Sequence, residues 1–226
     1  MAGLTVVTPA QQHAITYTEA SDYLRLDDQQ DVDLIRSLIR SATNYVETYT
    51  GRALINRTLK FSMDYIEEVD LQLHEGMRIG PDLTIRRKYI ELPKPPVASV
   101  SSVITFDDND TATTFNASKY YVDNQREPAR IILRTGETFP TALRVGNAVE
   151  VTYVAGYGSA GSSVPESMRL AMLQFVTFNY EHRGDSESTT PRIPENIHHF
   201  LAPFKVLNFS RNPFGGHGGY WCQLAN

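Results

Sequence analysis

Apolar residues recur at helical spacing along the first part of the chain. Within residues 29–49 they fall at i, i+3, i+4 and i+7, which predicts one long amphipathic helix with an apolar stripe of Ile35, Leu38, Ile39, Ala42, Tyr45, Val46 and Tyr49. Gly51 is expected to end this helix, since glycine readily takes the left-handed conformation that follows helices. A shorter helix is predicted over residues 18–26, with Thr18 as its N-cap. Both helices require a partner surface, because isolated helices are marginal in water.

The apolar pattern changes to strict alternation after residue 57. Leu59, Phe61 and Met63 alternate with polar residues, which predicts a strand with one buried face. Further strands are predicted over residues 69–73, 100–106, 119–122, 130–133 and 148–154. Turn-forming segments at residues 93–96, at 107–110 and around 136 separate these runs. The segment therefore reads as a small antiparallel β-sandwich or sheet.

Helical spacing returns after Pro165, which we place at the first position of a third helix, with Ser163 or Val164 near the cap. Its predicted stripe consists of Met168, Ala171, Met172, Phe175, Phe178 and His182. A polar loop at residues 184–191 follows. One more short helix is predicted from Pro194, packing Ile197, Phe200 and Leu201.

These elements predict an α+β fold, because the helices on both sides of the β region need each other's apolar faces. The N- and C-terminal helices pack together as a helical bundle, and an antiparallel β-sandwich or sheet is inserted between them. The expected divisions are residues 1–57 for the N-terminal helical part, 58–158 for the β-rich insertion and 159–207 for the C-terminal helical part. Residues 208–226 form a tail rich in Gly and aromatic residues, too poor in apolar periodicity to fold alone.

The composition of the chain excludes some functions and cellular environments. The formal charge of −5 argues against a protein that coats nucleic acid over its whole surface. Cys222 is the only cysteine, which excludes an intrachain disulfide and fits folding in a reducing cytosol. The sequence shows no signal peptide and no run long enough for a membrane span, so we predict a soluble protein made inside a cell.

Residues 156–161 form a literal G-x-G-x-x-G between a strand and a helix, a pattern that can bind a dinucleotide pyrophosphate. The context opposes that function, because Pro165 delays the helix and no parallel strand with a terminal acid follows. We therefore predict a flexible hinge between strand and helix. A nucleotide-binding enzyme that uses the loop from Gly156 to Gly161 remains the rival from another functional class.

Other candidate chemical groups point to structural roles. The acidic run Asp107-Asp-Asn-Asp110 lacks the glycine and the closing glutamate of an EF-hand, which favours a hairpin turn over a calcium site. Adjacent His198 and His199 diverge on a helix and suit no shared metal ion. His182 is predicted to be a core or interface histidine. The sequence thus predicts no catalytic residues, no cofactor and no metal site.

Six short phrases occur in a definite order along the chain. They are ATNYVETYTGRAL at residues 42–54, IELPKPPVASV at 90–100, VTYVAGYG at 151–158, VPESMRLAM at 164–172, NYEHR at 179–183 and a spaced IP…LAPF at 193–204. In this order they resemble the head–tail connector (adaptor) proteins of long-tailed bacteriophages and related gene-transfer particles. The resemblance runs from about residue 18 to 206 and does not include the tail.

The resemblance implies a helical bundle with a β insertion, assembled in the virion neck after synthesis in the bacterial host cytoplasm. It implies a homo-oligomeric ring of twelvefold symmetry beneath the portal protein. Genomic DNA would pass through the lumen without specific binding, and a neck or tail protein (a stopper or tail terminator) would dock below. No membrane partner is implied. A neck stopper or tail-completion protein is the structural alternative, and a monomeric β-sandwich that binds a ligand is a third.

The tail is assigned a binding role on physical grounds alone. A segment that orders on docking can spread over a large partner surface. Aromatic residues and arginine are the usual anchors of such contacts. The candidate partner-binding residues, toward the portal or a neighbouring subunit, are Phe209, Arg211, Phe214, Tyr220 and Trp221.

Overall fold

The structure is a computed structural model that describes residues 2–26, 31–64, 69–70, 86–87, 89–183 and 193–206. The whole predicted polar loop at 184–191 and the whole tail at 208–226 lie outside these ranges, as do three residues of the strand predicted over 69–73. Among the described residues, no helix combines the length and the apolar character that a membrane crossing requires.

Four α-helices lie in the described ranges: α1 (Tyr17–Leu24), α2 (Val32–Thr50), α3 (Glu166–Glu181) and α4 (Glu195–Leu201). The predicted stripe of α2 faces inward, and Gly51 ends the helix in the left-handed conformation with φ of 74°. Residues from all four helices form one core, whose members include Ala20, Ile35, Ile39, Ala42, Val46, Met168, Ala171, Met172, Phe175, Ile197 and Leu201. The prediction that N- and C-terminal helices pack together is confirmed.

The start of α1 differs from the prediction. Thr16, not Thr18, is the N-cap: the Thr16 hydroxyl accepts from the Glu19 N–H at 3.2 Å, and the Glu19 carboxylate accepts from the Thr16 N–H at 2.8 Å. This reciprocal capping box needs an acidic or amide side chain three residues after the cap. Glu19 stands there for Thr16, whereas Ser21 stands there for Thr18.

The third helix also departs from prediction at both ends. Pro165 takes the N-cap position, so the helix begins one residue later, at Glu166. His182 is exposed, so the core alternative of its prediction is wrong, and an interface position stays a prediction. Since α3 ends at Glu181, His182 lies beyond the last buried turn, where its ring stacks on Phe178 with centroids 4.4 Å apart.

The described strands are β1 (Ala2–Thr8), β2 (Arg57–Met63), β3 (Val69–Asp70), β4 (Arg86–Arg87), β5 (Tyr89–Glu91), β6 (Val97–Phe106), β7 (Ala112–Thr114), β8 (Tyr120–Asp123), β9 (Arg130–Leu133) and β10 (Val149–Ala155). They form a five-stranded sheet in the order β1-β2-β10-β6-β7, a three-stranded sheet in the order β5-β9-β8, and the pair β3-β4. All pairings between named strands are antiparallel. The predicted α+β class is confirmed.

The five-stranded and three-stranded sheets share a second core. Alternate residues of β10 point into it: Val149, Val151 and Tyr153 are fully buried, as their alternation predicts. Ile90 of β5 and Ile131 of β9 close this core from the smaller sheet. The β region is thus two facing open sheets rather than a barrel.

The first strand, β1, is a feature that the sequence analysis missed. Residues 2–8 pair with β2, with Leu4 opposite Phe61 and Val6 opposite Leu59. The first residues of the segment assigned to the helical part therefore belong to the sheet. No turn signal joins β1 to its partner, because the two α-helices α1 and α2 lie between them in the chain.

Candidate assembly surfaces

The helical core and the β core meet along a band of charged side chains, which we call the seam: Glu47, Arg52, Arg57, Lys94 and Glu127. Glu47, on the last turns of α2, is almost fully buried. Its carboxylate accepts from the Leu54 N–H at 3.0 Å and from the guanidinium of Arg57, the first residue of β2. A buried carboxylate of this kind is tolerated because charged and backbone donors replace its water.

Arg52 is the second fixed point of the seam. Its guanidinium binds the Glu127 carboxylate through two nitrogens, one of them at 2.7 Å, and its Nε donates to the carbonyl of Phe204. Burial by itself lowers the pKa of Arg52, but the hydrogen bonds and charge of Glu127 outweigh burial and raise the pKa above its usual value. One side chain therefore joins the end of α2, the β region and the C-terminal part of the described chain.

Lys94 reaches the same band from the turn between β5 and β6. Its Nζ donates to the Glu47 carbonyl at 3.0 Å. Burial lowers the pKa of Lys94, the Glu47 charge opposes that shift, and the nearby Arg57 adds to it. A lysine held partly out of water in this way is costly, and it is retained where it satisfies a helix carbonyl.

The last described residues are fastened beside the end of α2. The Val206 N–H donates to the Thr50 carbonyl at 2.9 Å, and the Lys205 ammonium lies 5.4 Å from the centre of the Tyr49 ring. The described part of the chain therefore ends at the seam. The predicted partner-binding residues Phe209, Arg211, Phe214, Tyr220 and Trp221 all lie outside the described residues.

A row of aromatic rings lies along α2 towards its C-terminal end. Tyr45 stacks on Phe175 of α3 with centroids 5.0 Å apart, and Tyr49 lies 5.1 Å from the His198 ring of α4. His198 therefore packs between helices. His199 lies on the same helix. In the described part of the chain, no group of three or more His, Cys, Asp or Glu side chains is arranged to hold a metal ion.

The glycine loop after β10 is a packed crossing rather than the flexible hinge that the sequence predicts. The Asn56 N–H donates to the Gly158 carbonyl at 2.9 Å, and the Gly156 N–H donates to the Pro96 carbonyl at 2.9 Å. A Cβ on Gly156 would lie 2.4 Å from the Asn56 nitrogen, and one on Gly161 would lie 2.5 Å from the Ala14 carbonyl oxygen. The glycines admit neighbouring backbone of this chain, which fills the space that a pyrophosphate needs.

The acidic run is the hairpin turn that the sequence predicts. Between β6 and β7, the Asp107 carboxylate accepts from the N–H groups of Asn109 and Thr111 at 2.9 and 2.8 Å. Asp110 adopts a φ of 61° and pairs with Arg144 at 2.9 Å. The carboxylates of Asp107 and Asp110 therefore stabilise the turn itself.

The first strand offers a different kind of surface. Since β1 is an edge of the five-stranded sheet, no strand among the described residues pairs with the backbone groups on its outer side. The side chains of residues 3–8 are exposed on both faces, including those of Leu4, Val6 and Val7.

The family model of head completion proteins matches residues 13–192, four-fifths of the chain. The chain belongs to the head completion protein family. Residues 193–206 and the tail lie outside the match.

Solved structures share the fold. The chain is similar to a protein in the neck of an empty gene transfer agent particle computed with C6 symmetry, with 20% identity, a TM-score of 0.72 and coverage of 93% of this chain and 98% of that one. It is similar to a protein in the virion of the native gene transfer agent particle, with 21% identity, a TM-score of 0.68 and coverage of 92% and 98%. A third match, in the neck of the native particle computed with C12 symmetry, has 21% identity, a TM-score of 0.65 and coverage of 93% and 98%. No curated protein matches the chain.

Sequence reasoning missed both the seam and the open strand β1. Arg52 and Glu127 are 75 positions apart, and no local pattern links them. The only signal for β1 was a run of uncharged, partly β-branched residues at 4–8.

Proposed function

We propose that this protein is a structural head completion protein that forms a ring in the neck of a tailed bacteriophage or related particle. The ring joins the portal to the tail and lets DNA pass through its lumen. The observation that carries the proposal is the family match over residues 13–192, and the full-length similarity of fold to neck and virion proteins of a gene transfer agent supports it.

The use of charge in the fold supports a structural function rather than catalysis. The buried side chains of Glu47 and Arg52 each form a hydrogen bond with a backbone group. Each also pairs with a charged side chain of the seam, Glu47 with Arg57 and Arg52 with Glu127. They hold the two cores together. Seams of this kind stiffen a building block that must keep several contact surfaces in register.

A closed ring needs two different complementary faces on every subunit, since head-to-tail contacts are heterologous. The fold provides distinct surfaces for this purpose: the open β1 edge, the small β5-β9-β8 sheet and the helical side. We propose a twelvefold ring, to match the portal, and the net charge of −5 limits adhesion of the DNA that passes through it.

We propose that the tail docks on the portal or on a neighbouring subunit through Phe209, Arg211, Phe214, Tyr220 and Trp221. The tail follows Val206 in the chain, and the Val206 N–H donates to the Thr50 carbonyl at the seam. A docked tail would therefore be connected to the residues that join the two cores. Aromatic anchors and one arginine suit a segment that orders on contact.

Truncation after Asn208 tests this part. The shortened chain is expected to remain folded and to bind purified portal rings at least tenfold more weakly, as measured by biolayer interferometry. A control variant, Val145→Ser, alters an exposed apolar residue in the loop between β9 and β10 and is expected to bind normally. Equal portal binding by the full and truncated chains would remove the tail from the portal interface.

The alternative function is a stopper or tail-completion protein one ring lower in the neck. Cross-linking in assembled particles separates the two functions, because an adaptor links to portal protein and a stopper links to tail protein. Links to tail protein alone would favour the alternative.

A further inference from the structure

The β1 edge is long, uncharged and open. Its residues are Ala-Gly-Leu-Thr-Val-Val-Thr, without Lys, Glu or Pro. Natural sheets usually block such an edge with charges, proline or a covering element, because an open edge pairs with any available strand. Here Leu4, Val6 and Val7 are 41%, 50% and 53% exposed.

The row of apolar side chains that crosses the sheet is incomplete at β1. Leu4 pairs with Phe61, Phe61 with Val151 and Val151 with Val103. Val151 and Val103 are fully buried, whereas Leu4 is left partly in water. A strand added outside β1 would satisfy its backbone groups and bring apolar side chains beside Leu4 and Val6.

The opposite edge of the sheet in another copy is a poor occupant. The β7 strand has three residues. Successive strands twist by about 20–25°, so the directions of β1 and β7 differ by about 80–100°, whereas neighbours in a twelvefold ring are turned by about 30°. The occupant is better supplied by a segment that is not already part of a sheet.

The C-terminal tail has the required length and chemistry. Val206 lies beside the end of α2, and the 20 residues that follow it can span roughly 66 Å when extended, against about 24 Å for β1. No Asp, Glu, Lys or Arg follows Arg211. Tyr220, Cys222 and Leu224 occupy alternate positions, which is the pattern of a strand with one apolar face.

We propose that residues 220–225 of one copy add as a strand to the β1 edge of the adjacent copy in the ring. The inference rests on the proposed ring and specifies one contact within it. It assigns Tyr220 and Trp221 to the neighbouring subunit. Because Val206, the last described residue before the tail, lies at the seam and β1 is a different surface, a contact between the tail of one copy and β1 of the next is head-to-tail and closes a ring.

A cysteine at Val6, on the same face of β1 as Leu4, tests the contact together with the native Cys222, because the proposal places Cys222 on that face. The assembled Val6→Cys protein, under mild oxidation, is expected to give a ladder of disulfide-linked oligomers on a denaturing gel. Two matched controls are expected to stay monomeric: Thr113→Cys on the other edge of the same sheet, and Val6→Cys combined with Cys222→Ser.

Each contrary result has a defined meaning. Equal ladders from Val6→Cys and Thr113→Cys would overturn the proposal, as would an intramolecular link only. Dimers that persist with Cys222→Ser would show β1 pairing with β1 and would also overturn it. If rings form and bind portal but no Val6→Cys ladder appears, the inference fails and the proposed function stands. If no rings form and portal binding is absent, the proposed function itself fails.

A second variant gives a readout that does not depend on cysteine. Gln223→Pro removes a backbone donor inside the proposed strand, and Gly216→Pro makes the same change in the glycine-rich part of the tail. Gln223→Pro is expected to raise the concentration for half-maximal ring assembly on the order of tenfold, and Gly216→Pro to change it little. Equal effects from the two variants would contradict a strand at residues 220–225.

Discussion

Tyr153 lies in the middle of β10 with its ring fully buried between the two sheets. Its hydroxyl donates to the carbonyl of Pro93 at 2.6 Å, which ties the turn before β6 to the centre of the larger sheet. Burial raises the pKa of Tyr153, so the hydroxyl stays a donor throughout the accessible pH range. The residue combines a large apolar contact with one satisfied polar group.

Replacing Tyr153 by Phe is expected to lower the free energy of unfolding by about 1 kcal/mol, because the partly buried Pro93 carbonyl loses its donor while the ring contacts remain. Urea denaturation followed by circular dichroism measures the change. The slope against urea should not alter. A loss below the error of the measurement would mean that water replaces the hydroxyl at this carbonyl.

Gly156 is a second position where the addition of one atom, a Cβ, is expected to change the stability of the fold. It has a φ of 143°, and an added Cβ would lie 2.4 Å from the backbone nitrogen of Asn56. We expect Gly156→Ala to cost at least about 2 kcal/mol, since neither backbone can move without breaking the crossing. The control is Gly146→Ala, whose Cβ meets no atom within 4 Å. Thermal melts of the two variants should differ clearly, and equal melting temperatures would contradict the close approach.

At the scale of elements, α1 depends on side chains at its start more than on its length. With eight residues it is too short to be stable alone. Glu19 closes the capping box with Thr16 and also binds the guanidinium of Arg169 on α3. One carboxylate therefore both starts the helix and docks it.

The same carboxylate makes the stability of α1 depend on pH. Burial raises the pKa of Glu19, but the Thr16 hydrogen bonds and the Arg169 charge outweigh burial and lower the pKa below the ordinary 4.5. A lowered pKa in the folded state means that the stabilisation is complete above about pH 4.5 and is lost as the pH falls through the folded value. Acid should therefore weaken both the capping box that starts α1 and the ion pair that docks α1 on α3.

Glu19→Gln is expected to cost roughly 1 kcal/mol at pH 7, because the amide keeps a cap acceptor but loses the charge. The Glu19 side chain is 40% exposed, which keeps the effect modest. Urea denaturation at pH 7 and pH 3.5 should show a smaller pH dependence for the variant than for the parent protein. An unchanged pH dependence would assign the acid sensitivity to other carboxylates.

For the whole molecule, the seam decides whether the two cores act as one body. Arg52 is buried and binds both Glu127 of the β region and the carbonyl of Phe204. Glu127 is 41% exposed, so water can replace Arg52 around its carboxylate, whereas Arg52 has no comparable access to water. The two partners should therefore respond differently to substitution.

We expect Glu127→Gln to destabilise the fold by about 2 kcal/mol, since it leaves a buried guanidinium without a carboxylate, and Arg52→Met to cost about 1 kcal/mol. Calorimetry should also show whether the single unfolding transition broadens or divides when the seam is weakened. A greater loss from Arg52→Met than from Glu127→Gln would contradict the difference in exposure.

The sequence by itself determined the elements whose signal is local. The stripe of α2 and its stop at Gly51, the alternation of Val149, Val151 and Tyr153, and the turn at Asp107 follow from spacing and from the chemistry of single residues. Each is written within a few neighbouring positions, so burial of one face is enough to predict it. The α+β class followed from the order of these patterns.

Tertiary structure alone decided the pairing of β1 and the contacts of the seam. β1 pairs with β2 across two intervening helices, and Arg52 meets Glu127 over 75 positions, so neither contact has a local signature. The N-cap of α1 does have a local signature, because Glu19 stands three residues after Thr16 and favours Thr16 over Thr18. Periodicity along a chain specifies which side of an element avoids water, but the partner that covers that side is chosen by the packing of the whole fold.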